Sequence, residues 1–519
     1  NAGYRSDILL EVGEDGAVGS RTSMLELHRA LQRELASEEG PAQAHGEWGR
    51  KVSLLSRVGA QPLSGKEMKT LLGEGLRHIV AHETGHILGL RHNFKGSMAI
   101  PYDCTRNASC TAIHGLTASV MDYVPTNLPS VSDTDPEVAI FSPVLGAYDK
   151  LAIKYGYMPA RDVLPGERLT LVPELRAVLS EAEAYETCYD SDREVEDPGC
   201  AAYDMTDDPL RYFTAQIDRL AIVQQHLLNA SVQPGASYKK YGEAVHDLLS
   251  LSLRQGLDAV RWLGGVSNHY VNRLADRSMP PRIGRRATPA AKQREALGLV
   301  LRIMRARDAG LMPPEQGLPF LIEQGKDIDT VKTLDVDSKL RTIVHRLMTH
   351  ALTSSMLARM HDNKQMEPAG TSSSDKTLGV QEYLTLLVDG VFTQGLVSAP
   401  SSDWDIHAAL VHGLVKLYKK EASSSVPEAV HSQVFMAMRS VHSKVDAGLA
   451  QVGSAGGQGG AALREHLLSL RQSLHAAVCP SASGGCDAFR VQAQAQSAAA
   501  PVAARSLLVA AVLATAAAA

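Results

Sequence analysis

The chain has 519 residues, of which 44% are hydrophobic, 21% charged and 5% aromatic, and its formal net charge is −5. That length holds two or more domains with cores of their own. The mild acidity leaves no basic footprint, so nucleic acid is not expected as a partner.

The first residue is Asn1 rather than Met, which reads as a fragment or a processed form and leaves room for a signal peptide lost from view. Residues 1 to 62 hold "DILLEVG", read as a strand, and "SMLELHRALQREL", read as a helix with Ser23 and Glu26 as a capping box. Residues 64 to 90 read as one long helix with Leu72, Leu76, Ile79, Val80, Ile87 and Leu90 as its apolar stripe. From 91 to 140 the residues are those of loops. Ser142 and Pro143 stand as N-cap and first residue of the next helix, "SPVLGAYDKLAIKYGY".

Residues 181 to 208 are rich in acids, among them Glu186, Asp190, Asp197 and Asp204. They lack the ligand spacing of a calcium loop, so a solvated insertion or linker is expected over 161–208. From 209 to 475 the period is helical throughout, with Thr288 as N-cap and Pro289 as first residue of "ATPAAKQREALGLVLRIM". Breaks at 371–374, 423–425 and 453–460 read as loops or linkers.

Six cysteines fall into close pairs: Cys104 with Cys110, Cys188 with Cys200, Cys479 with Cys486. Local pairs without C-x-x-C spacing read as small disulfide loops, which belong to oxidising compartments. Sequons at Asn107 and Asn229 agree, and together they point to a secreted or cell-surface glycoprotein. The uncharged end "SLLVAAVLATAAAA" follows small residues Ser497, Ala498 and Ala499 across a spacer. This is the order of a lipid-anchor signal that would attach the chain to a membrane. A plain Ala-rich tail over 476–519 is the other reading.

The chemistry concentrates in "AHETGHILGLRHNF", residues 81 to 94. His82 and His86 are four apart, so on a helix they share one face and can reach one ion. Glu83, beside them, is placed to take a proton from a metal-activated water. Gly89 supplies the left-handed backbone that ends a helix, and the chain can then return His92 to the same ion. Three neutral nitrogens with an open position are the layout of a catalytic zinc site. The pattern H-E-x-x-H-x-x-G-x-x-H recurs by accident in about one such chain in ten thousand.

With "SVMDY" downstream, these residues resemble the metzincin metallopeptidases, which pair this motif with a methionine turn beneath the metal. "HETGHILGLRHNFKGS", "SVMDYVP" and "GAYDKLAIKYGY" together resemble the Met-zincin group, zinc metallopeptidases known mainly from bacterial genomes. Weaker similarity runs through "DDPLRY" and "GGVSNHYVNR" to about residue 320.

The resemblance implies an α+β metzincin-like catalytic domain over 1–160, then the acidic segment and a mainly helical region over 209–475. With only 81 residues before His82, the sheet of such a domain is expected to be incomplete. It implies Zn²⁺ on His82, His86 and His92, Glu83 as general base, and Met121 as the turn methionine. It also implies Tyr123 as a contact to the metal or the developing oxyanion. Pro125 and Asn127 would border the pocket beyond the scissile bond. The activity implied is endopeptidase action on protein or peptide substrates. Two rivals are a zinc hydrolase of a non-peptide amide and a surface adhesion or scaffold protein with a vestigial metal site.

Overall fold

The computed structural model describes residues 65–127, 138–159, 173–182, 184–190, 196–232, 235, 237–268, 284–324, 330–393, 396, 399–419, 426–452 and 458–479. The strand at "DILLEVG", the helix with Ser23 and Glu26, the break at 423–425 and the tail from 480 lie outside them. Two compact units are present. One falls within Asn1–Thr288 and Ala306–Leu340, the other within Pro289–Arg305 and Arg341–Ala519.

The first unit begins with helix α1, Gly65–Ile87. Its inward face matches the apolar stripe read from the sequence only in part: Ile79 is buried, but Val80 and Ile87 are exposed. The buried positions are Gly75, Ile79, His82 and Gly85, three or four residues apart. The two glycines leave room for neighbours: Phe141 packs on Gly75 and Met121 on Gly85. A face of two glycines and a histidine carries little hydrophobic signal.

The helix ends on Gly89, whose φ of +85° is left-handed. Leu90 N–H donates to Gly85 O at 2.9 Å and Gly89 N–H to His86 O at 3.0 Å, which closes a Schellman motif. Short turns follow, then α2, Ala108–His114, capped by the Asn107 side chain accepting from Cys110 N–H. The Cys104–Cys110 disulfide closes this turn.

Helix α3 is Ala147–Tyr157, so it starts later than Ser142 and Pro143 suggest. Asp149 in its first turn accepts the Gly146 N–H at 3.1 Å, and this pairing sets the start. Ser142 Oγ instead accepts from Leu116 N–H. Gly146 is required, because a Cβ there would overlap the Ala118 carbonyl. The unit continues with α4, Pro173–Ala182, then α5, Pro209–Ser231, and α6, Lys239–Val260. Helices α5 and α6 pack along each other.

The helical pattern after 209 is interrupted by two antiparallel pairs of three-residue strands. Strand β1, Val266–Asn268, pairs with β2, Arg285–Ala287. Strand β3, Ile322–Gln324, pairs with β4, Val331–Thr333. Three residues per strand are too few for a period-two signal to stand out.

The second unit is built from α7, Ala290–Met304, the part of α8, Val336–Ala351, from Arg341 on, and α9, Ser354–Gln365. It continues with α10, Val380–Val391, α11, Trp404–Lys419, α12, Glu428–Val452, and α13, Gln458–Val478. Helix α7 starts one residue after the Thr288–Pro289 reading, with Pro289 as its N-cap. Helix α13 already covers 458–460, part of the break read at 453–460. Helices α10 to α13 pack on one another around Leu384, Leu410, Val441 and Leu467. No helix of the described residues is long and apolar enough to cross a membrane.

Among the described residues, part of the acidic segment is buried rather than solvated. Asp197 and Asp204 are buried, and Asp197 pairs with the buried Lys95 at 2.9 Å. Glu186 meets the same ammonium at 3.2 Å. The segment is thus the counter-charge of the residues that follow the histidine motif, and the Cys188–Cys200 disulfide holds it closed. A charge run reads as solvated only when its partners are out of sight.

Candidate metal centre

His82 is fully buried, and its Nδ1 donates to the Val120 carbonyl at 2.7 Å. His86 Nδ1 donates to the Leu90 carbonyl at 3.0 Å, within reach because the Schellman turn folds Leu90 back. His92 Nδ1 stands 2.8 Å from each oxygen of Asp190. With every Nδ1 committed as a donor, each Nε2 carries the free lone pair. One ligand atom from each of the three histidines lies within 4.8 Å of the others. His82 Nε2 and His86 Nε2 are 3.1 Å apart. Two nitrogens at about 2.0–2.1 Å from one tetrahedral ion stand about 3.3 Å apart, so this spacing fits a shared ion. His92 Nε2 is buried and has no hydrogen-bond partner. Burial pushes the His82 imidazole down to about 3, so it is neutral and ready as a ligand.

His114 lies exposed at the end of α2 and is not in this group. Glu83 follows His82 on α1, half-buried, and is not in the donor group either.

The methionine turn fits beneath. Met121 is buried, and its Sδ lies where a Cβ on Gly85 would be, between His82 and His86 in sequence. Asn93 N–H donates to Met121 O at 3.2 Å and Ala118 N–H to Gly96 O at 2.9 Å, which stitches "HNFKGS" to the turn. Alanine normally stabilises a helix interior over glycine by about 1 kcal/mol. At Gly85 the sign is expected to reverse, because the added methyl meets Met121 Sδ. Gly85→Ala should lose about 1–3 kcal/mol by overpacking. Thermal unfolding checks it, and a raised melting temperature would exclude a methionine packed on this helix.

Asp149 anchors the turn from α3. It accepts from Ser119 Oγ at 2.6 Å and from Val120 N–H at 2.7 Å. A single residue, Val120, carries both the N–H that this carboxylate holds and the carbonyl that holds His82. Burial pushes the Asp149 carboxyl above the ordinary range, and these hydrogen bonds oppose the shift.

Asp122, next along, is fully buried and accepts from Ser97 N–H at 2.7 Å, while its other oxygen has no partner. Burial pushes it up to about 8 from 3.8. A raised acid favours the neutral form in the folded chain, so its contribution to stability is full below the unfolded value and is lost as pH rises through about 8. Asp122→Asn keeps an acceptor for Ser97 and removes the charge. Between about pH 5 and about pH 9 the wild type should lose stability that the variant keeps. Denaturant midpoints across that range measure it, and parallel curves would refute it.

Tyr123 packs its ring 4.6 Å from that of His92 and 5.5 Å from that of His82. Phe94 and Tyr203 complete the aromatic wall. Tyr203 and Thr206, both with left-handed backbone, flank the buried Asp204. Tyr203 is held there by its N–H on Tyr123 O at 2.7 Å. Pro125 is half-buried. Asn127 does not offer its side chain to a pocket: it is fully buried and its amide donates to the Thr105 and Ala139 carbonyls.

The sequence reading missed Asp149 and Asp190. Asp149 carried a faint signal as the acid three residues after a glycine at a helix start; Asp190 carried none. Three lone pairs converging on one point, two of them from a rigid helix turn, can hold a transition metal and leave part of its shell open. A family model described as Met-zincin matches residues 64–397, more than half of the chain. It reaches past residue 320, where the resemblance fades to the eye. No curated protein and no solved structure matches the chain.

Proposed function

Because the chain belongs to the Met-zincin family, we propose that it is a zinc-dependent endopeptidase acting on protein or peptide substrates. The observation that carries this reading is the convergence of His82, His86 and His92, each with Nδ1 tied back to an oxygen and the His92 Nε2 buried and unpartnered. These residues would hold the zinc. When bound, zinc supplies a Lewis acid and lowers the pKa of water at its open position towards 7.

The chain's own residues do the rest. Glu83 takes the proton of the attacking water and returns it to the leaving amine. Its position on α1 directly after His82, outside the donor group, supports the role of base over that of ligand. Tyr123, against His92 and His82, is the side chain assigned to the developing oxyanion. Met121 and Asp149 keep the ligand geometry fixed, so little reorganisation is needed as the reaction proceeds. The working compartment we assign is extracellular. The Cys104–Cys110 and Cys188–Cys200 disulfides support it, as does the exposed sequon Asn107.

The test is metal analysis with a peptidase assay on the full chain. The expected result is one zinc per chain, peptide cleavage abolished by chelator and restored by zinc. Zinc binding with cleavage of non-peptide amides alone, or with no hydrolysis of either class, would overturn the reading.

A further inference from the structure

We propose that Asp190 is the positioning residue of the third metal ligand, fixing the ring of His92 so that its Nε2 points into the site. The proposal rests on the zinc reading above. His82 and His86 stand on α1, and their Nδ1 atoms are tied to backbone carbonyls. His92 lies beyond the helix end, so no helix fixes its ring. Its Nδ1 is tied to a carboxylate, with both oxygens at 2.8 Å. A carboxylate behind a ligating imidazole sets the tautomer, holds the ring plane and raises the basicity of the other nitrogen.

The segment that carries Asp190 is built to stay in place. Phe94 N–H donates to Cys188 O at 2.8 Å, and Cys188 N–H donates to Asn93 Oδ1 at 3.1 Å. Residue 188 is thus stitched to the two residues that follow His92. The disulfide then ties Cys188 to Cys200, whose carbonyl accepts from Arg261 at 2.9 Å. Lys95, three residues after His92, is bound to Glu186 and Asp197, so that ammonium already has its counter-charges.

The Asp190 side chain is 51% exposed, so as an ion pair it adds little to folding. Its effect should fall on the metal. Asp190→Ala, Asp190→Asn and Asp190→Glu in the full chain separate the two. Zinc affinity is read by chelator competition, and melting of the metal-free chain is read beside it. Asp190→Ala should weaken zinc by about 10–100-fold while the metal-free melting temperature stays put. Asp190→Asn, which keeps an acceptor but no charge, should fall between. Asp190→Glu should recover part of the loss.

Unchanged zinc affinity in Asp190→Ala, with one zinc held by the wild type, would overturn the proposal and leave the zinc reading standing. So would a fall in metal-free melting large enough to account for the lost affinity. A wild type that holds no zinc would overturn both.

Discussion

Glu83→Gln is expected to hold zinc as tightly as the wild type and to hydrolyse peptides about 10²–10⁴-fold more slowly. The two readouts are expected to separate because Glu83 is not in the group of three donors. The donor group consists of His82, His86 and His92. On α1, Glu83 is turned by one residue from His82 and is outside that donor group. Glutamine matches its size, keeps a hydrogen-bond acceptor and cannot take a proton at neutral pH. Water is therefore still oriented while the base is gone. Zinc content by elemental analysis and kcat on a cleavable peptide check it. Near-normal turnover with normal zinc would remove Glu83 from the role of base. Lost zinc would make it a ligand.

What could be read from the sequence was the part written within one turn of helix or one turn of chain. The spacing of His82 and His86 follows from the helical period, and Gly89 was legible because left-handed backbone selects glycine. His86 is held locally, by the Leu90 carbonyl, but the partners of His82 and His92 come from far along the chain. Asp190 is 98 residues from His92, and Val120 is 38 from His82. No local rule links such partners.

Local signals also misled where packing outweighed them. Ser142 and Pro143 form a good helix start on paper, but Asp149 places it at Gly146. The stripe of α1 counted Val80 and Ile87, while the face that packs holds Gly75 and Gly85. The acidic run looked solvated because Lys95, its buried partner, sits in a motif that draws the eye to its histidines. Of the α+β expectation, the helices and two small strand pairs are seen, and the sheet expected before His82 falls outside the described residues.

Asp149→Ala is expected to destabilise the chain by about 3–5 kcal/mol and to weaken zinc at the same time. Asp149 is buried and gathers three donors: Ser119 Oγ, Val120 N–H and Gly146 N–H. An ionised carboxylate accepts with both oxygens and donates nothing, which is what three converging donors need. Alanine leaves them buried and unsatisfied at about 1–3 kcal/mol each, less whatever relaxation recovers. Two of the three belong to the methionine turn, and the Val120 carbonyl is the group that holds His82. A turn that slips releases that ring, so affinity should fall with stability.

Asp149→Asn sharpens the test. Its amide keeps one acceptor oxygen but turns two N–H groups towards donors already there, so it should rescue little despite its equal size. If Asp149→Asn melted like the wild type, Asp149 would be serving in its neutral form, and the charge would not matter to the turn. Chemical unfolding of the metal-free chain, with zinc affinity measured on the same preparations, distinguishes these outcomes.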